Sequence, residues 1–296
     1  MKPSQLVTSC ATFAISFSFS FSFSFSFSFS LWIPSTLATE VTTAKRVVSL
    51  APHATELAYS AGLGDNLVAV SERSDYPPQA DKLEKVANYQ GIKVEKIIAL
   101  QPDLILAWPA GNPPRELAKL EQFGFNIYYS KTKSLDSIAT NIEQLSQYAS
   151  DPSIGENNAK QYKEQLNALR LKYKDAEPVS YFYQLSEKPI ITVAQGHWPS
   201  EVFEFCGGRN IFEDSASPYP QVGIEQVVLN KPQVIFTSQH AIENGTMWQS
   251  WAEEIPAVAK NQIWSLNSDW INRPTTRTLQ AIQQVCDYFD RVRENH

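Results

Sequence analysis

Between residues 46 and 266 the chain alternates short apolar runs with longer stretches of helical periodicity. Three runs, at 46–50, 103–108 and 125–130, fall in the first half, and three more, at 179–185, 233–238 and 262–266, in the second. Asp103-Leu-Ile-Leu-Ala-Trp108 is apolar at successive positions rather than at every other one. Strands buried on both faces, in parallel sheets with helical crossovers, carry that pattern. The expected fold class is α/β, as two similar lobes with central sheets. Between the halves, Ala159, Tyr162, Leu166, Leu169 and Tyr173 step by three and four residues, one apolar stripe on a single long helix. Asp151 and Pro152 suit its start, and Glu177-Pro178 closes it. The expected division is an N-terminal lobe at 45–150, a connecting helix at 154–175 and a C-terminal lobe at 178–296. One helix makes a stiffer connection than a Gly/Ser-rich linker.

The halves also look duplicated. Glu95, Pro102 and Ile105 recur as Glu225, Pro232 and Ile235 at an offset of 130, and the same offset carries Tyr89 onto Tyr219. A weaker echo links Thr55-Glu-Leu-Ala-Tyr-Ser-Ala-Gly62 to Ser200-Glu-Val-Phe-Glu-Phe-Cys-Gly207. Two facing lobes would then present equivalent Tyr and Glu residues symmetrically.

Composition adds bounds. The 296 residues suit two domains, and 43% hydrophobic with 19% charged residues is ordinary for a globular chain. A formal charge of -6 argues against a nucleic-acid partner. Lys2 is the only charge before Glu40, and an apolar stretch with Phe-Ser repeats ends near Thr36 and Ala38, small residues placed as at a cleavage site. Residues 1–38 therefore read as a secretory signal peptide, which implies export. An uncleaved anchor and lipidation at Cys10 are the alternatives. Cleavage would leave 258 residues, with 24 basic and 31 acidic side chains. It would also leave Cys206 and Cys286, which in an oxidising compartment pair more readily than they bind metal, since no CxxC or nearby His supports a metal site.

Enzyme signatures are missing: there is no GxSxG, HExxH, P-loop or GxGxxG. His53-Ala-Thr-Glu56 is an isolated HxxE and reads as a polar helix start with Glu in the first turn. No catalytic residue, metal site or cofactor is expected. What stands out is aromatics beside Pro and Gly in expected loops: Tyr76 before Pro77, Tyr89 near Gly91, Trp108 before Pro109, Tyr219 between two prolines, and Trp270 after Asp269. In open α/β sheets ligands bind beyond the carboxyl ends of strands, where Trp108 falls. Prolines lower the entropy cost of holding a loop in its bound shape, and aromatic rings give broad apolar contact with a polar edge. Such a cleft suits a large, bulky ligand. Glu95 and Glu225 open expected helices, where a carboxylate favours the helix dipole. As a matched exposed pair they would also set register on a cationic partner.

Taken together, Arg46-Val-Val-Ser-Leu-Ala-Pro-His-Ala-Thr-Glu-Leu57, Ser74-Asp-Tyr-Pro-Pro-Gln-Ala80, Gln101-Pro-Asp-Leu-Ile-Leu-Ala-Trp108, Cys206-Gly-Gly-Arg-Asn-Ile-Phe212 and Ser268-Asp-Trp270 resemble the periplasmic cobalamin-binding proteins of bacterial vitamin importers. The resemblance runs from about Lys45 to Asp290; the Ser-Asp-Tyr-Pro-Pro and Ser-Asp-Trp segments are its more specific parts. It implies a corrinoid, carried as cargo, in a cleft between two lobes joined by a backbone helix. It implies ligand contacts from Tyr76, Trp108, Asp269, Trp270 and Arg273, with Tyr89 and Tyr219 standing where the family often carries Trp. It implies a Cys206–Cys286 disulfide, and docking of Glu95 and Glu225 on the permease dimer of an ATP-driven (ABC) importer with its ATPase subunits. The free protein would be a periplasmic monomer. Ile191 stands where an aromatic is expected, and His53 where the polar residue is usually a different one. Siderophore and haem receptors of the same superfamily share the strand–helix parts and are the alternative reading; a secreted hydrolase is a more distant one.

Overall fold

The computed structural model describes residues 43–239 and 246–294, so the expected signal segment lies outside the described residues. In the first lobe β1 (Val47–Ser49), β2 (Leu67–Ser71), β3 (Glu84–Asn88), β4 (Gly91–Ile92), β5 (Leu104–Ala107) and β6 (Ile127–Tyr129) form one sheet of order β4-β3-β2-β1-β5-β6. All pairs are parallel except β3 with β4. Around it lie α1 (Pro52–Ser60), α2 (Pro78–Asp81), α3 (Val94–Leu100), α4 (Pro114–Gln122) and α5 (Leu135–Ser146). The 22-residue α6 (Pro152–Tyr173) then leads into the second lobe. There β7 (Val179–Gln184) is followed by a small hairpin, β8 (Ser186–Glu187) with β9 (Ile190–Ile191). After α7 (Ser200–Glu204) comes β10 (Gly208–Asn210), then α8 (Ile224–Asn230), β11 (Val234–Ser238), α9 (Pro256–Ala259), β12 (Ile263–Leu266), α10 (Ser268–Ile271) and α11 (Thr278–Glu294). The second sheet, β10-β7-β11-β12, is wholly parallel.

All six apolar runs are strands, and their burial explains why they do not alternate with polar residues. Successive side chains on a strand point to opposite faces. On β1, Val47 enters one core and Val48 another; on β5, Leu104 and Leu106 enter the first and Ile105 and Ala107 the second. On β11, Val234 and Phe236 face one core while Ile235 faces a third. Each sheet is thus covered on both sides, as parallel sheets require. The core shared by the facing sides is continuous: it takes in Leu104 of the first sheet, Tyr181 of the second, and Ala159, Tyr162, Leu166 and Tyr173 of α6.

The stripe read from the sequence is therefore the inner face of α6, with Leu169 packed at its margin. Asp151 caps the helix by accepting from the Ser153 amide at 3.1 Å, ahead of Pro152 in the first turn. At Gly155 a Cβ would lie 2.5 Å from Ser146 Cβ and 3.0 Å from Ala61 Cα, so only glycine lets α6 approach α5 and the end of α1 this closely. A second tie between lobes comes from α7: the Leu135 amide, at the start of α5, donates to Glu201 Oε2 at 2.6 Å. Cys206, just past α7, is disulfide-bonded to Cys286 of α11, with Cα atoms 5.1 Å apart. Closing an 80-residue loop stabilises through chain entropy by about 4 kcal/mol.

The suspected duplication has a structural counterpart. Helices α3 and α8 each have seven residues, and each ends on a left-handed residue, Gln101 (φ 46°, ψ 58°) and Lys231 (φ 45°, ψ 58°). Gly62 after α1 and Gly207 after α7, paired in the weaker echo, also share positive φ, 85° and 79°.

Candidate functional site

The loops at the carboxyl ends of the strands converge on a cleft of about 330 Å³. Pro52 and His53 enter it just after β1, Trp108 after β5, and Leu185 after β7; Trp198, Tyr219 and the segment from Asn272 to Pro274 complete the wall. This is where an open α/β sheet places its ligand. Trp108 is held from behind. Its amide donates to Asn112 Oδ1 at 2.7 Å, and the Asn112 side-chain amide donates to the Leu50 carbonyl at 2.9 Å. A Cβ on Gly111 would lie 2.0 Å from the indole ring, so glycine there is what lets the ring fold over its own loop. The ring stays 42% exposed.

Opposite, Trp198 Nε1 donates to the Ile271 carbonyl at 2.9 Å, and the Tyr219 hydroxyl donates to the Trp198 carbonyl at 3.1 Å. Tyr219 is fixed at its polar end and keeps 51% of its surface exposed. His53 meets Trp108 edge to face, with ring centroids 5.4 Å apart. It is buried, its Nε2 has no hydrogen-bond partner among the described residues, and burial followed by the charge of Arg273 lowers its pKa to about 4. It is neutral at physiological pH.

One flank of the cleft is charged. Arg273 bonds Asp75 Oδ1 at 2.7 Å, Asp269 Oδ1 at 3.0 Å and Glu56 Oε1 at 3.2 Å. Burial opposes ionisation of Asp75, but the hydrogen bond and the charge of Arg273 outweigh it and hold the carboxyl below its ordinary range. Arg277 donates to Glu56 side-on, from Nε to Oε2 at 2.8 Å and from Nη2 to Oε1 at 2.5 Å, and lies over the Tyr76 ring 4.1 Å from its centroid. Guanidinium pairs of this kind are directional and orient both partners.

Of the residues singled out from the sequence, Trp108, Tyr219 and Arg273 line the cleft. Tyr76 and Asp269 belong to the charged flank through Arg277 and Arg273. Trp270 packs partly against the shared core. Tyr89 sits in the turn between β3 and β4, 93% exposed and outside the cleft wall, so its environment is not that of Tyr219. Glu95 and Glu225 are exposed in the first turns of α3 and α8. Glu95 pairs with Lys119 at 3.1 Å. Its own backbone amide, then Lys119, holds its carboxyl below the usual range. Trp198 was not foreseen, although Trp198-Pro199 carries the same aromatic-beside-proline signal as the other loops. Among the described residues no group of three or more His, Cys, Asp or Glu could hold a metal, and no helix is long and apolar enough to cross a membrane.

The periplasmic binding protein family matches residues 47–270. The chain is 64% identical over 251 residues to the vitamin B12-binding protein of Vibrio campbellii, covering 85% of this chain and 91% of the relative. It is 46% identical over 254 residues to that of Yersinia pestis, covering 85% and 89%. Among solved structures it is similar to the periplasmic vitamin B12 binding protein BtuF of Vibrio cholerae, with a TM-score of 0.82 and 63% identity over 85% of this chain and 99% of that one. The haem-binding protein RhuT from Roseiflexus shares the fold, with a TM-score of 0.74 at 23% identity over 84% and 99%. Two α/β lobes, a connecting helix and an inter-lobe cleft accompany a match over most of the chain: the protein belongs to the periplasmic binding protein family.

Proposed function

We propose that this protein captures cobalamin, or a closely related corrinoid, in the periplasm and delivers it to the membrane permease of an ABC importer. The observation that carries the reading is at Arg273. The two segments most specific in the sequence, Ser74-Asp-Tyr-Pro-Pro78 and Ser268-Asp-Trp270, lie far apart in the chain, yet Asp75 and Asp269 both bond this one guanidinium at the cleft edge. The relatives that are about 64% identical over nearly their whole length carry the name vitamin B12-binding protein, which supports the same ligand. Trp108, Trp198 and Tyr219 supply broad apolar contact, and Arg273 and Asn272 supply polar contacts for the periphery of a large macrocycle. Tyr76, Asp269 and Trp270 complete the contacts as the ligand fills the open side, and Tyr89 reaches only a ligand that extends beyond the cleft wall. The protein is exported through the 1–38 signal, is monomeric when free, and uses Glu95 and Glu225 to dock one lobe on each half of a permease dimer that carries its ATPase subunits. It performs no chemistry on its cargo.

Isothermal titration of the purified protein with cyanocobalamin tests the ligand. One-to-one binding is the expected result. Absence of heat, together with binding of a ferric siderophore or haem, would replace the ligand and leave the family intact.

A further inference from the structure

We infer that Glu56 is a positioning residue: it latches the two lobes together beside the cleft and thereby aims Arg273 and Tyr76 at the ligand before it arrives. Glu56 lies on α1, which packs on the first sheet, and is 4% exposed. A buried carboxylate needs compensation, and among the described residues every hydrogen-bond partner of the Glu56 carboxylate comes from the other lobe. Glu56 Oε1 accepts from Arg273 at 3.2 Å and from Arg277 at 2.5 Å, and Oε2 accepts from Arg277 Nε at 2.8 Å. These arginines are 217 and 221 positions away, between α10 and the start of α11. From this one carboxylate the contacts fan out to the cleft. Arg273 goes on to hold Asp75 and Asp269, and Arg277 covers the Tyr76 ring.

Among the described residues Glu56 is the only carboxylate that Arg277 pairs with, whereas Arg273 has two others. Neutralising Glu56 therefore removes the one carboxylate that, among the described residues, holds Arg277 over the Tyr76 ring. It also leaves Arg273 with the half-exposed Asp75 as its remaining carboxylate partner on the first lobe. The cluster stands at the cleft, since Arg273 is itself part of the cleft wall. A pre-set spacing lets the ligand bind without a separate cost for ordering the two walls.

The inference rests on the proposed ligand only for its affinity arm. Spin labels at Gln122→Cys on α4 and Leu229→Cys on α8, in a Cys10→Ser background, report the distance between lobes in the ligand-free protein. The parent should give one narrow distribution. Glu56→Gln should broaden it and weaken cyanocobalamin binding about tenfold or more. Arg277→Gln should do the same, and the double variant should be little worse than either single one, as coupled residues require; the Arg277 variant also decides the question should Glu56→Gln fail to fold. Unchanged distributions, or unchanged affinity beside a broadened distribution, overturn the positioning role. If the parent protein takes no cobalamin, the ligand reading fails while the distance measurement still decides the latch.

Discussion

His53 shows how a single side chain in the cleft couples binding geometry to acid stability. The unfolded chain takes up a proton on this imidazole near pH 6.5, whereas the folded protein does so only near pH 4, because burial and then the Arg273 charge oppose the imidazolium. Between those values the unfolded state binds more protons, so stability falls as pH falls through the window. The accumulated loss by pH 4 is about 3 kcal/mol. His53→Asn removes the titrating group, so its thermal midpoint should decline less steeply than the parent's from pH 6.5 to 4; parallel curves would show that other groups carry the acid loss. At this scale the sequence was only partly legible. Trp108 and Tyr219 announced themselves as aromatics beside prolines, because rigid loops at strand ends have a local signature. Glu56 read as an ordinary first-turn carboxylate, because nothing local records that its partners lie more than 200 residues away.

Among the elements, the repeated helix–proline–strand unit makes the sharpest demand on the backbone. Gln101 and Lys231 both adopt left-handed conformations that favour glycine, at the ends of α3 and α8. Both side chains are exposed, and the amides close the helices on Ile98 and Val227. A non-glycine residue there costs about 1 kcal/mol in backbone strain. Gln101→Gly and Lys231→Gly should each raise unfolding stability by somewhat less than about 1 kcal/mol, because glycine gains freedom in the unfolded chain. Denaturant titration reads both; a loss of stability at either position would mean that its side chain does more than end a helix. The unit was visible in sequence because Pro, Glu and the apolar positions recur in register. Strands β2, β3 and β10 were not. The β10 segment, Gly208-Arg-Asn210, has no apolar run, since it pairs at the sheet edge through its backbone alone.

At the scale of the whole molecule, one continuous core, the α6 stripe and the Leu135–Glu201 bond join the lobes, which favours capture with little relative movement. The continuous apolar runs made the two-sheet architecture legible, because burial on both faces erases polar alternation. The extent of the shared core was not, because it depends on which faces of separate sheets meet. In the proposed function, delivery is driven from outside by a partner that grips each lobe. Glu95 and Glu225, the residues proposed for this, stand at matching helix starts, but they are not electrostatically equal. Lys119 already sits 3.1 Å from Glu95, whereas Glu225 has no ion-pair partner among the described residues. In the proposed docking a cationic permease site would displace Lys119 at one lobe and meet a carboxylate without an ion-pair partner among the described residues at the other. Reversing both, as Glu95→Arg with Glu225→Arg, should abolish uptake of labelled cobalamin by cells while leaving the affinity of the purified protein within about twofold, since exposed charges far from the ligand steer association more than they hold it. Of the single variants, Glu225→Arg should lose the greater part of uptake, because Glu95 contributes a charge already partly neutralised. Equal loss of ligand binding in the double variant would move these glutamates from docking to folding or capture. Equal uptake losses in the two single variants would mean that Lys119 gives way without consequence when the permease arrives.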